Sequence, residues 1–276
     1  MQATGRWHMS VRRRRSHGLT KVEVLVVVGI IALLISILIP ALNRARQNDQ
    51  RIHCASHLRQ IGQALLLYSN DNKGAFPRVR TAEGENITPV WGTGASASDP
   101  FGSDGPSAND VTAALFLLIR TQDLYPAVFC CDSTYATEDK FDGKTAQQRS
   151  NFTDWRKNLS YSFQNPSEYR TTPNYRSIGS TNSEFAVAAD MNPGTAGDGA
   201  DVLKPSVSSP PKEMRLGNSR NHDREGQYVL YGDGRVAWES NPFVGVNRDN
   251  IYTTKDGKIL APAYSYDDSI LLPTDD

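Results

Sequence analysis

Between residues 22 and 39 the chain reads V-E-V-L-V-V-V-G-I-I-A-L-L-I-S-I-L-I, an apolar run whose one ionisable side chain is Glu23. As a helix rising about 1.5 Å per residue it would be about 27 Å long, close to the thickness of a bilayer's hydrocarbon core. A chain with this segment is expected to be anchored once in a membrane. It is then neither an ordinary cytosolic protein nor a multi-span one. The flanking charge sets the orientation. Residues 1–18 hold Arg6, Arg12, Arg13, Arg14 and Arg15 and no acid. The whole chain balances 30 Lys and Arg against 30 Asp and Glu, so the remainder carries 25 basic and 30 acidic groups, a net of −5. Basic flanks stay in the cytoplasm, which predicts an exported C-terminal part. The zero net charge of the whole chain also argues against a nucleic-acid partner, which needs clustered excess Lys and Arg.

Three kinds of apolar segment compete for residues 22–39. A removable secretory signal needs small residues at a cleavage site, but Pro40-Ala-Leu-Asn-Arg-Ala-Arg46 follows the run and supplies no good site. A twin-arginine signal needs apolar residues soon after the arginine pair, and here Ser16-His17-Gly18 follows. A plain anchor helix has no use for Glu23, because a carboxylate inside such a helix costs about 2.5–3.5 kcal/mol, less near its end. The charge becomes tolerable when a cation arrives to pair with it, and a newly exposed α-amino group would serve.

Gly18-Leu19-Thr20-Lys21-Val22-Glu23 resembles a class III prepilin cleavage site, as in type IV pilins and type II secretion pseudopilins. The resemblance implies that a prepilin peptidase cuts between Gly18 and Leu19 and methylates the new amine of Leu19. It implies that Glu23, fifth after the cut, neutralises the amine of a neighbouring subunit during filament assembly. Pro40 falls at the twenty-second place, where pilins commonly carry a helix-bending proline. Leu19 stands in place of the usual Phe, and Lys21 stands where an apolar residue is usual.

Further pieces resemble a large bacterial family of pseudopilin-like proteins that carry a C-terminal His-x9/10-Asp-Gly motif. They are the stretch from Cys54 to Pro77, Val128-Phe-Cys-Cys-Asp132, Leu159-Ser-Tyr-Ser-Phe-Gln-Asn-Pro166, Ala188-Ala-Asp-Met-Asn-Pro193 and Asn241 to Tyr252. The motif itself would be His222 and Asp233-Gly234, with ten residues between His and Asp. The implied partners are the prepilin peptidase, other pseudopilin subunits, the inner-membrane secretion or pilus machinery and the lipid bilayer.

The expected organisation is a leader at 1–18, a transmembrane or filament-core helix at 19–42, its amphipathic continuation at 43–72 and an exported head at 73–276. The expected fold class is α+β: a long N-terminal helix packed on a mainly antiparallel sheet. Cys54, Leu58, Ile61, Leu65 and Tyr68 recur at spacings of four and three, one apolar stripe on a helix that ends at the turn cluster 70–74. Residues 159–163, 184–189, 227–231 and 235–239 read as strands, the last two joined through Gly232-Asp233-Gly234. Val229, Tyr231, Val236 and Trp238 are candidates for the sheet's packing. Residues 111–120 read as a short buried helix, and 93–109, 133–151 and 192–219 as polar surface loops.

Asp190, His222, Asp223 and Asp233 form the one constellation with site chemistry. Asp and His together could bind a metal or act as an acid–base pair, whereas in turns such residues bond nearby backbone. No nucleophile elbow, phosphate loop or dinucleotide fingerprint occurs, so no catalytic role and no cofactor are expected. Calcium is a weak candidate on the resemblance to major pseudopilins. Asp198, Asp201, Asp249, Asp267 and Asp268 could supply oxygen ligands, but without EF-hand spacing. Cys54 with Cys130 or Cys131 is a candidate disulfide in an oxidising compartment. Cys130 is the preferred partner because the family residue at 131 resembles Pro, and buried free thiols are the alternative. The expected function is that of a structural subunit in a type II secretion or type IV pilus-like filament. The alternative is a single-pass anchored protein that binds an extracytoplasmic ligand, such as a glycan, without polymerising.

Overall fold

The computed structural model describes residues 20–80, 88–164, 182–194, 205–260, 263, 265 and 267–275. Gly18 and Leu19 lie outside these residues, as do Asp198 and Asp201. The chain divides into two compact units, residues 1–46 and 47–276. Helix α1 (Lys21–Asp71) contributes to both.

In the first unit the described residues are helical from Lys21 onward and include Pro40. The most apolar 18-residue window is wholly unburied, and the helix is long and apolar enough to cross a membrane. Proline is tolerated inside such a helix, because neighbours and Ser or Thr hydroxyls satisfy the backbone groups it frees. The carbonyl that Pro40 frees is that of Ser36, whose own hydroxyl donates to the Leu33 carbonyl at 2.7 Å. Thr20 and Glu23 begin the helix with a reciprocal capping box. The Thr20 amide and hydroxyl donate to Glu23 Oε2 at 2.7 and 2.9 Å, and the Glu23 amide donates to Thr20 Oγ1 at 3.2 Å.

In the second unit the apolar stripe on the rest of α1 is the spine of the core. Cys54, Leu58, Ile61, Leu65 and Tyr68 are all buried, as the four-and-three spacing requires of one helix face. Helix α2 (Val111–Gln122) follows. Its N-cap, Asp110, is fully buried and accepts from the Ala113 amide at 2.8 Å, while Asp123 ends it in the left-handed conformation. Nine consecutive residues from Val111 to Ile119 are buried, so this helix is wrapped on all sides.

Five strands form one antiparallel sheet: β1 (Tyr161–Gln164), β2 (Ala186–Asp190), β3 (Gln227–Tyr231), β4 (Val236–Glu239) and β5 (Leu271–Leu272), in the order β4-β3-β2-β1-β5. A long helix with a five-stranded antiparallel sheet makes the fold α+β. The register pairs Tyr161 with Asp190, Ala189 with Val229 and Tyr228 with Trp238. Strand alternation then sorts the residues by face. Phe163, Ala188 and Leu230 join the core that contains α1 and α2. Ala189, Val229, Tyr231 and Leu271 form a second, smaller core with Ile251 and Tyr252. Both faces of the sheet are therefore covered. Of the four residues expected to pack the hairpin, Val229 and Tyr231 are buried in the second core, and Val236 packs on the first from a half-buried position. Trp238, also half-buried, joins neither and packs against Tyr228 and His222. At Gly62 a Cβ would come within 2.9 Å of Leu230 Cδ1, so α1 approaches β3 closely there.

Candidate functional site

At the end of β2 the sheet, α1 and two loops bring together side chains that are distant in sequence. Asp190, the last residue of β2, is fully buried. Its Oδ2 accepts from the Tyr228 amide at 2.7 Å and its Oδ1 from Asn221 Nδ2 at 3.2 Å. A single turn of 3-10 helix, Arg220–His222, carries His222 inward, with Ser219 capping its start. His222 Nε2 lies 3.4 Å from Asp190 Oδ2 and 3.8 Å from Cys131 Sγ, and Nδ1 lies 3.1 Å from Ser133 Oγ. The ring meets Tyr228 and Trp238 edge-on at centroid distances of 6.2 and 5.5 Å. His222 thus ties the preceding loop to the β3–β4 hairpin. From α1, Arg51 stacks on Trp238 at 4.4 Å and pairs with Glu225, which anchors the helix to the same hairpin.

Cys54 closes the site from the helix side through a disulfide to Cys131, with the two Cα atoms 5.4 Å apart. This corrects the sequence-based pairing with Cys130. The backbone at Cys130 is extended, so neighbouring side chains leave it on opposite sides and only Cys131 faces α1. Cys130 remains a free, buried thiol directed at the Asn158 carbonyl, 3.7 Å away. Burial first, then the charges of Glu138, Asp139 and Asp132, push it up to about 12, which keeps it protonated and unreactive. Tyr161, opposite Asp190 in the register, is fully buried, and its hydroxyl has no hydrogen-bond partner among the described residues.

Of the four residues that the sequence groups together, the structure unites two. Asp233 sits in the hairpin turn, where its Oδ1 accepts from the Arg235 amide at 3.0 Å beside Gly234 at a φ of 86°. It is five residues beyond Tyr228, roughly 16 Å along a strand at about 3.3 Å per residue. It therefore cannot share a metal with Asp190 and His222. Asp223 adopts the left-handed conformation that ends the His222 turn. The sequence grouping missed Ser133 and both disulfide cysteines. The signal available for them was Val128-Phe-Cys-Cys-Asp132, which places two sulfurs and the start of a turn side by side.

Three of the acidic groups weighed for calcium meet elsewhere. Asp249, Asp267 and Asp268 line a cleft of about 810 Å³ with Asn247, Asn250 and Lys255. Asp249 accepts from the Ser269 amide at 3.1 Å. Burial and the neighbouring Asp268 charge push its carboxyl up to about 8. A folded-state value above the ordinary 3.9 favours the protonated form, so this group's stabilisation is complete below about pH 4. It is lost as pH rises to about 8. Its contribution to the melting temperature of the full chain in detergent micelles, read as the difference between the wild type and Asp249→Asn, is expected to fall over that interval. A difference that stays constant there would contradict the assignment.

No protein-family model, curated protein or solved structure matches this chain.

Proposed function

We propose that the chain is a structural, non-catalytic pseudopilin-like subunit of a type II secretion or type IV pilus-like filament. In this reading prepilin peptidase removes residues 1–18, Leu19 becomes the methylated N-terminus, and the helix crosses the inner membrane with the head on its extracytoplasmic side. The single carriage of a carboxylate by the apolar run, at Glu23, is the observation on which the reading rests. The capping box supports it. Glu23 folds back onto the amide of Thr20, one residue from the proposed new amine, so the carboxylate is held at the helix start rather than deep in the apolar segment. A disulfide in the second unit supports an oxidising compartment for the head. The bilayer and, after assembly, neighbouring helices would cover the apolar surface of residues 22–39, which nothing among the described residues covers.

Glu23→Ala makes the test. The variant should still be processed and membrane-bound, since removing a charge eases insertion. It should fail to form the subunit–subunit crosslinks given by the wild type in intact cells. Unchanged crosslinking would favour an anchored ligand-binding protein over a filament subunit.

A further inference from the structure

The geometry points to a second use of the Cys54–Cys131 pair: in the reduced protein these two thiolates, with His222 Nε2 and the Asp190 carboxylate, form a tetrahedral zinc site that replaces the disulfide.

Ligand atoms of Cys54, Cys131 and His222 already lie within 4.8 Å of one another, and all three residues are buried. Tetrahedral zinc, with bonds of about 2.3 Å to sulfur and about 2.0–2.2 Å to nitrogen or oxygen, needs edges of about 3.6 Å between S and N and about 3.4 Å between N and O. The corresponding separations are 3.8 Å from Cys131 Sγ to His222 Nε2 and 3.4 Å from His222 Nε2 to Asp190 Oδ2. Asp190 lies outside that 4.8 Å group, so two movements are needed. The sulfurs separate to about 3.8 Å, and the sulfurs and the carboxylate close on a common centre; reduction of the S–S bond frees the sulfurs for both.

The surrounding groups suit either state. Ser133 can donate to His222 Nδ1 when Nε2–H faces Asp190. The same hydroxyl can accept from Nδ1–H when Nε2 turns its lone pair to the metal. Asn221 and the Tyr228 amide hold the Asp190 carboxylate in place without using all of its lone pairs. The exchange balances. A dithiol reductant gives two electrons and two protons to the Cys54–Cys131 bond and becomes a disulfide. Zinc then displaces the two thiol protons, which leave to solvent. With the imidazole counted as neutral, the buried site has one net negative charge before and after. No further net charge is desolvated in the exchange. Cys130 is excluded from the set because its sulfur faces the Asn158 carbonyl.

The test uses the full chain in detergent micelles, reduced with a phosphine and titrated anaerobically with Co²⁺ as the probe. The expected result is one equivalent bound per chain, with thiolate-to-cobalt charge transfer and the visible bands of tetrahedral Co²⁺, both erased by Zn²⁺. The oxidised chain should show neither. His222→Gln should weaken binding by at least about tenfold, and Cys130→Ser should leave it unchanged. Circular dichroism of the reduced chain keeps the test decisive: native ellipticity should be retained or restored when Zn²⁺ is added. Any one of four results would overturn the proposal. They are absence of the thiolate band, failure of zinc to support a folded reduced chain, wild-type affinity in His222→Gln, and loss of binding in Cys130→Ser.

Discussion

Asp190→Ala is expected to lower the unfolding free energy of the full chain by about 3–5 kcal/mol. The carboxylate is fully buried and is the acceptor for the Tyr228 amide and the Asn221 side chain, with His222 Nε2 at 3.4 Å. Truncation leaves the Tyr228 amide without its acceptor and Asn221 Nδ2 with only the Ser160 carbonyl, in a place that water does not reach, at about 1–3 kcal/mol for each unmet donor. Asp190→Asn should cost less, because one carbonyl acceptor remains. Denaturant unfolding of the oxidised chain measures both. A loss below about 1 kcal/mol for Asp190→Ala would mean that the site relaxes freely, against the tight packing of this region.

Cys54→Ser should cost a comparable amount. The disulfide links residues separated by 77 positions, and the chain-entropy account gives about 4.5 kcal/mol for a closed loop of that size. Cys131→Ser should match it. Cys130→Ser removes no covalent link and should cost about 1 kcal/mol or less, the value of a weak buried contact. Equal losses for Cys130→Ser and Cys54→Ser would show that the pairing is wrong. The three variants need only unfolding curves with and without reductant.

These two expectations rest on residues whose roles the sequence showed unequally. The stripe from Cys54 to Tyr68 was legible because a helix buries every third or fourth residue whatever it packs against. The β3–β4 hairpin was legible because Gly232-Asp233-Gly234 is local turn chemistry, and the Asp233 bond to the Arg235 amide needs no distant partner. Strand β5 was not anticipated: two residues, Leu271 and Leu272, are too short for any alternation to show. The choice between Cys130 and Cys131 is a question of parity. In an extended segment a shift of one residue exchanges inside for outside, and periodicity cannot fix that phase for a lone pair. The nearness of His222 to Asp190 follows from the β2–β3 register, which sets Tyr228 beside Asp190. The sulfur and Ser133 that complete the site come from a loop with no repeating pattern. Asp233 was drawn into the same group by its place in the His-x10-Asp-Gly motif, but closeness along that motif spans the length of a strand.

The mature N-terminus tests the central claim most directly. Intact-mass measurement and N-terminal peptide analysis of the protein from membranes should find a chain that begins at Leu19, with a methylated α-amine and without residues 1–18. A chain that begins at Met1, or one cut after Ala41 as a secretory signal would be, would contradict the filament-subunit account.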